Sequence, residues 1–215
     1  MLESVLVLAA VAAGITGAWS PCGFSMVETL APSGYAGRLR TTLAACVTFT
    51  AGALAGGVAT FGGLSALGAA LGAGGPAALG VAVAVAAAAA AGEARGARIV
   101  PQVRRQVPES WRRLLPVPLA AAGYGVLLGL GFTTFILSFA VWALAGVCVA
   151  LGDPTAGVLA GLAFGAGRAL PVVLLAPRAG GAVHAAMAER PRILRSLRLL
   201  DAVALAAVAV AAAAA

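Results

Sequence analysis

A cysteine beside a proline is the feature of this sequence best placed to do chemistry. The motif consists of Trp19, Ser20, Pro21, Cys22, Gly23 and Phe24, inside an apolar run from Leu2 to Ala31. Because proline interrupts the hydrogen bonds of a helix and Gly23 adds flexibility, we expect a break that exposes the Cys22 thiol to a partner or a cavity. Trp19, Ser20, Pro21 and Gly23 would shape that site. The alternative is a proline kink beside a cysteine that only packs.

Cys46 and Cys148 are the other two thiols. At ~1.5 Å per residue, Cys22 and Cys46 lie at depths within about 6 Å of each other, whereas Cys148 is roughly 20 Å from Cys22 along the membrane normal. A disulfide requires Cα atoms within ~7 Å, so an internal pair would join Cys22 to Cys46, with Cys46 as a resolving thiol. The alternative gives Cys46 and Cys148 packing roles.

Other redox and metal motifs are missing from the sequence. It contains no Cys-x-x-Cys, which excludes a thioredoxin motif or a zinc ribbon. His184 is its only histidine, so we expect no metal site. It also has no haem motif, nucleotide loop or hydrolase triad, and we expect no cofactor.

Two charged residues lie within apolar runs, where charge is costly and often functional. Glu28 follows Cys22 by one and a half helical turns, and Arg168 lies in a glycine-rich stretch that ends at Pro171. A Glu28–Arg168 ion pair would neutralise both. Alternatively, Glu28 lies at the water interface and Arg168 extends alone toward water.

Composition identifies the elements that must position these residues. Of 215 residues, 62% are hydrophobic and only 10% are charged. The apolar residues form six runs of about twenty residues, which predicts an all-α integral membrane protein. The first run contains the proline motif, and the fourth, from Leu114 to Leu151, is long enough to be either strongly tilted or broken.

Arginine fixes the predicted topology. The net charge of +7 arises from arginine without any lysine, and the first, third and fifth loops carry two, six and five arginines. The positive-inside rule explains this alternation better than nucleic-acid binding and puts both termini outside the cytoplasmic (inner) membrane of a bacterium. With Glu3 near its start, the first run is a permanent span rather than a cleaved signal. The predicted units are a three-helix repeat over residues 1–92, a basic cytoplasmic loop over 93–116 and a second three-helix repeat over 117–215.

The motif around Cys22, the order of elements and the stretch around Arg168 resemble the DsbD/CcdA family of cytochrome c biogenesis proteins. The resemblance implies two inverted three-helix repeats whose first and fourth helices are broken. It also implies thiol–disulfide electron transfer from a cytoplasmic thioredoxin-like protein to an extracytoplasmic thiol protein.

The second repeat departs from this family pattern. The family places a Pro-Cys on the fourth span, where this chain has Thr133, Thr134 and Phe135, with Phe135 at the cysteine position and Ser138 at a later proline. The symmetric thiol is therefore missing.

Three functions remain open from the sequence. The first is thiol–disulfide transfer or redox-enzyme maturation through Cys22, with Arg168 as the intramembrane cation that favours a thiolate. The second is a small-solute or ion transporter in which Pro21, Cys22, Gly23, Thr133 and Thr134 line the path. The third is a non-catalytic accessory factor for the maturation of another enzyme, so enzymatic activity itself stays open.

Overall fold

The computed structural model describes residues 1–31, 39–97, 100–101, 107, 110–134, 136–178 and 189–215, with only the backbone of Arg112 and Arg178. These residues form helices and connecting turns without any strand, as the sequence predicts. The helices are α1 (Leu2–Ala18), α2 (Pro21–Leu30), α3 (Leu39–Gly57), a π-helical turn (Val58–Gly62), α4 (Gly63–Ala70), α5 (Pro76–Ala94), α6 (Trp111–Leu114), α7 (Val117–Gly129), α8 (Ala140–Leu151), α9 (Pro154–Leu175), a 3-10 turn (Ala176–Arg178) and α10 (Arg190–Ala213).

Several of these helices have the length and apolarity of membrane spans. Within the described residues, four uninterrupted helices qualify: Leu39–Ala70, Pro76–Ala94, Pro154–Leu175 and Arg190–Ala213. The pair α1 and α2 forms a fifth, bent span with 76° between its two parts. The apolar helices α7 and α8 are too short to cross singly, so the fourth predicted run is broken rather than tilted. The chain is a multi-pass membrane protein.

The last span is longer than its apolar run. The sequence predicts a short final span from Leu199 preceded by an interfacial basic segment, but α10 begins at Arg190 and has 24 residues. The basic residues therefore form its first turns, which places Asp201 near the middle of the helix. This difference matters below, because it puts a carboxylate inside the bundle.

Glycine brings several helix pairs into backbone contact. A Cβ at Gly52 of α3 would lie 2.1 Å from the carbonyl oxygen of Ala122 in α7, and one at Gly125 would lie 2.1 Å from that of Phe49. The α3–α9 and α1–α9 crossings are equally close, with 2.1 Å at Gly57 and 2.4 Å at Gly14. Small residues at such spacing are typical of tightly packed membrane helices.

The helix contacts divide the bundle into two apolar clusters. In the first, α1, α5, α8, α10 and the first half of α9 pack together, and in the second, α2, α3, α7 and the last part of α9 do so. The main crossings are α1 with α9 and α10, α3 with α7 and α9, and α5 with α8 and α10. Helix α9 therefore belongs to both clusters and carries Arg168 between them.

Candidate functional site: two helix breaks joined by a buried arginine

The first break lies just before the predicted one. Helix α1 ends at Ala18, and α2 begins at Pro21, which occupies the first helical position, where its missing N–H costs nothing. The Ser20 hydroxyl caps α2 by accepting a hydrogen bond from the N–H of Gly23 at 3.3 Å. The irregular residues are thus Trp19 and Ser20, whereas Cys22 lies in the first turn of a regular helix.

Gly23 has a different role from the predicted one. A Cβ on Gly23 would lie 1.8 Å from the carbonyl oxygen of Ala18. Glycine is therefore needed because the start of α2 folds back tightly on the end of α1, rather than because the helix must unwind there. Trp19 closes the other side through an edge-to-face contact with Phe24, with 5.4 Å between ring centroids.

The Cys22 side chain is buried, with 4% of its surface exposed. We expected the break to expose the sulfur, but the turn that forms α2 covers it instead. Cys22 nevertheless lies within electrostatic range of Arg168. The thiol is thus placed beside a cation rather than in an open cavity.

The second break separates α7 from α8 and is stabilised from several sides. The Thr133 hydroxyl donates to the carbonyl of Leu127 at 2.5 Å, and the Thr60 hydroxyl of the π-helical turn donates to the carbonyl of Leu130 at 3.0 Å. The N–H of Phe139 donates to the Glu93 carboxylate. Unwound backbone at membrane depth requires such partners, because lipid offers none.

Arg168 connects the two breaks. Its side chain is completely buried, and Nη2 donates to the hydroxyl of Thr134 in the second break at 3.5 Å. On the other side the guanidinium packs against Gly17 near the first break, where a Cβ would lie 2.5 Å from Nη1. It also lies 5.6 Å from the ring centroid of Phe164. Nε and Nη1 make no hydrogen bond to any of the described residues.

Glu28 does not neutralise this arginine. Its side chain is exposed on α2, whereas Arg168 is buried, and no ion pair joins these two described residues. The prediction that Glu28 is a buried charge is therefore wrong, because residue 28 lies on the outward face of α2. The alternative reading, an interfacial Glu28, fits this position.

The other predicted site residues are distributed as follows. Cys46 is buried on α3 against the second apolar cluster, and Cys148 is buried on α8, where its carbonyl accepts a hydrogen bond from Ser65 at 2.9 Å. All three cysteines are free thiols. Of the two predicted threonines, only Thr134 reaches Arg168. Phe135, which replaces the family's second cysteine, lies outside the described residues.

A second polar cluster escaped the sequence analysis. Glu93 and Arg198 form an ion pair, with 2.5 Å between Oε2 and Nε, and the buried Asp201 lies one helical turn after Arg198. Arg198 also donates to the carbonyl of Ala97 at 2.7 Å. The available signal was Asp201 itself, a carboxylate inside the last apolar run.

Comparison with known proteins gives one consistent result. The chain is similar to the methylamine utilization protein MauF. It is 31% identical to MauF of Paracoccus versutus over 79% of this chain and 64% of that protein, and 31% identical to MauF of Methylorubrum extorquens over 75% and 58%. The identity to MauF of Paracoccus denitrificans is 32%, over 80% and 64%. The chain spans less than two thirds of the length of these relatives. No family model and no solved structure matches it.

Proposed function

We propose that this protein is a membrane component for the maturation of a redox enzyme used in methylamine utilization, acting through the Cys22 thiol. The metabolic context comes from its similarity to proteins named for methylamine utilization. The chemistry comes from the arrangement of Arg168 and Cys22 at the first helix break.

The observation that carries the proposal is the uncompensated charge of Arg168. A buried cation is costly unless an anion or several acceptors satisfy it. Among the described residues its only hydrogen bond goes to the neutral hydroxyl of Thr134, and two of its nitrogens are free. Cys22 lies within electrostatic range and is the group nearby that can become an anion. A cation next to a cysteine sulfur is the kind of environment in which reactive cysteines are found, and this is the basis of the proposal.

The proposed reaction is thiol–disulfide exchange. The Cys22 thiolate attacks a disulfide of an extracytoplasmic partner, which forms a mixed disulfide and releases the partner's other sulfur as a thiolate that takes up a proton. Cys46 then attacks the Cys22 sulfur, so the partner leaves as a dithiol with two electrons and Cys22 and Cys46 form a disulfide. A cytoplasmic dithiol protein of the thioredoxin type reduces that disulfide by the same exchange.

We also infer that the fold is a pair of inverted three-helix repeats, as in the DsbD/CcdA family. Exchanging whole spans (α1–α2 with α7–α8, α3–α4 with α9, and α5 with α10) relates two pairs of contacts. The contact of the first span with α9 corresponds to that of the fourth span with α3, made by α7, and the contact of the first span with α10 corresponds to that of the fourth span with α5, made by α8. Both partners of each exchange are present among the observed crossings. Such repeats place working residues on broken helices near the midplane. The arginine-rich loops would face the cytoplasm of a bacterium.

A labelling experiment tests the thiol reaction. In the Cys46→Ser/Cys148→Ser background, Cys22 should react with N-ethylmaleimide in purified protein, and Arg168→Met should slow the reaction about tenfold because it removes charge that stabilises the thiolate. Arg168→Lys should retain most of the rate. Equal rates in all three proteins would show that Arg168 does not activate Cys22.

The internal pair is tested in the otherwise native chain. Cys46→Ser should accumulate a mixed disulfide between Cys22 and its partner, Cys22→Ser should form none, and Cys148→Ser should behave as wild type. Mass spectrometry after alkylation, with and without prior reduction, identifies each species. If Cys22→Ala matures the target enzyme as well as wild type, Cys22 is a packing residue.

Transport is the second candidate, and the free nitrogens of Arg168 favour it. Two helix breaks converge on this cation, and broken helices in transporters often direct such groups at a small anion. Proteoliposomes containing wild-type protein would then take up radioactive acetate or chloride, and Arg168→Gln would abolish uptake. Uptake that is equal in empty vesicles would exclude this candidate for those two anions.

A further inference from the structure

A buried carboxylate without a counter-charge lies away from the cysteine motif. Asp201 is 1% exposed at the middle of α10, and neither carboxylate oxygen makes a hydrogen bond of good geometry within the described residues. It faces the hydroxyls of Thr16 in α1 and Ser138 in the second break, and the charges acting on it are those of Glu93 and Arg198. Two other elements thus bring hydroxyl oxygens close to this carboxylate.

The nearby ion pair does not neutralise Asp201. Arg198 binds Glu93 directly, with 2.5 Å between Nε and Oε2, and its Nη2 donates to a backbone carbonyl. The Glu93 carboxylate also accepts from the N–H of Phe139. Glu93 and Arg198 therefore compensate each other, and the group of three charges has a net charge of −1 in the interior of the bundle when Asp201 is ionised.

The Thr16 hydroxyl supplies an independent observation. It is completely buried, faces Asp201 and has no hydrogen-bond partner. A hydroxyl beside a carboxylate normally donates to it, because a buried hydroxyl without a partner is destabilising. Within the described residues no hydrogen bond of good geometry satisfies either group, so the Asp201 oxygens and the Thr16 hydroxyl lie close together with unused capacity to bind a ligand.

We propose that Asp201, Thr16 and Ser138 form a binding site for a small monovalent cation. Carboxylate and hydroxyl oxygens are suitable ligands for hard cations, and unwound helical segments supply cation ligands in membrane transporters. A monovalent cation would neutralise the net charge of −1 on Glu93, Arg198 and Asp201, whereas a divalent cation would leave one positive charge buried without compensation. The proposal does not rest on the chemistry of Cys22, and the experiments below test it separately from the thiol reaction.

Thermal unfolding of the purified protein in nanodiscs tests this site. Tm is measured at constant ionic strength in choline chloride and after replacement by Na⁺, K⁺, ammonium or methylammonium. A bound cation at about 100 times its Kd should raise Tm by at least about 5 °C above the value in choline chloride. Choline is the reference because it is too large for the site. The ion with the largest shift identifies the ligand. A wild-type Tm that is equal in all five salts overturns the proposal.

Matched variants locate the effect. Asp201→Asn should remove the cation-dependent shift, and Thr16→Val should reduce it. Glu3→Gln removes an exposed carboxylate from α1, and Thr48→Val removes a hydroxyl that bonds only to its own helix, so both should retain the full shift. Persistence of the shift in Asp201→Asn would overturn the proposal.

Direct binding provides a readout that does not depend on stability. Wild-type protein should bind ²²Na⁺ in a scintillation proximity assay, the effective competing ions should displace it, and Asp201→Asn should lose binding. If wild type binds no ²²Na⁺ and its Tm responds to pH but to none of the cations, Asp201 carries a proton instead. That result rejects the cation site and leaves the Cys22 reaction untouched.

Discussion

The guanidinium of Arg168 packs directly on the Cα of Gly17. A Cβ at residue 17 would lie 2.5 Å from Nη1 and 2.7 Å from the central carbon of the guanidinium. The arginine is held between this glycine on one side and Thr134 on the other. Its position therefore depends on the absence of a side chain at Gly17 as much as on its single hydrogen bond.

Gly17→Ala should displace Arg168 and lower both stability and Cys22 reactivity. The added methyl group overpacks a buried site, which costs about 1–3 kcal/mol. Gly80→Ala is the matched control, because Gly80 is helical and a Cβ there meets nothing within 4 Å. It should stabilise the protein by about 0.5–1 kcal/mol. Denaturant unfolding and maleimide labelling measure the two effects, and a neutral Gly17→Ala would contradict the packing described.

The Glu93–Arg198 pair should show strong coupling. Removing one partner of a buried pair leaves an unpaired charge and costs about 3–5 kcal/mol. The losses of stability in Glu93→Gln and Arg198→Gln should therefore add up to more than the loss in the double variant. The exposed Glu189–Arg192 pair on the same helix is the control, with about 0–1 kcal/mol expected. Strict additivity at Glu93 and Arg198 in unfolding experiments would argue against their ion pair.

Glu28 and Arg168 should behave independently. Because Glu28 is exposed and does not contact Arg168, the losses in Glu28→Gln and Arg168→Gln should add in the double variant. Glu28→Gln alone should change stability by less than about 0.5 kcal/mol. A double variant that is more stable than Arg168→Gln alone would support an ion pair between Glu28 and Arg168.

Membrane orientation follows from the arginine-rich loops. Single cysteines at positions 104 and 195 should be protected from an impermeant maleimide in intact cells, whereas a cysteine at position 153 should react. Position 104 lies outside the described residues, so position 195 in α10 links the result to the structure. Labelling of position 195 from outside would invert the topology.

The sequence was sufficient for the helical class and for the first break, whereas it left the fourth run either tilted or broken, and only the family resemblance implied a break there. A run longer than a membrane is thick must tilt or break, and Pro21 marked the first break directly. The exact end of α1 was missed because proline is favourable at the first position of a new helix, so the irregular residues precede it. The 76° bend then buried Cys22 in a way that spacing along the chain does not reveal.

The polar clusters depended on contacts between distant parts of the chain. Arg168 was identifiable as a charge in an apolar run, but its neighbours Gly17 and Thr134 come from other spans. Asp201 was hidden because the preceding arginines suggested an interfacial segment, whereas helix α10 begins nine residues earlier than its apolar run. Charge near a predicted span boundary is ambiguous until the helix length is known.

The glycine contacts of α3 also decide which parts of the bundle can move. At Gly52, Gly57 and Gly125 the helices meet through backbone atoms, which leaves no side chain to change rotamer when one helix slides past another. Shear along these crossings is therefore blocked, and α3, α7 and α9 should move as one rigid frame. Opening toward either side of the membrane would have to occur by hinge rotation at Ser20 and at the stretch that contains Thr134. Arg168 lies on α9 and contacts Thr134 in one hinge and Gly17, three residues before Ser20, near the other, so it is positioned to make their movements interdependent.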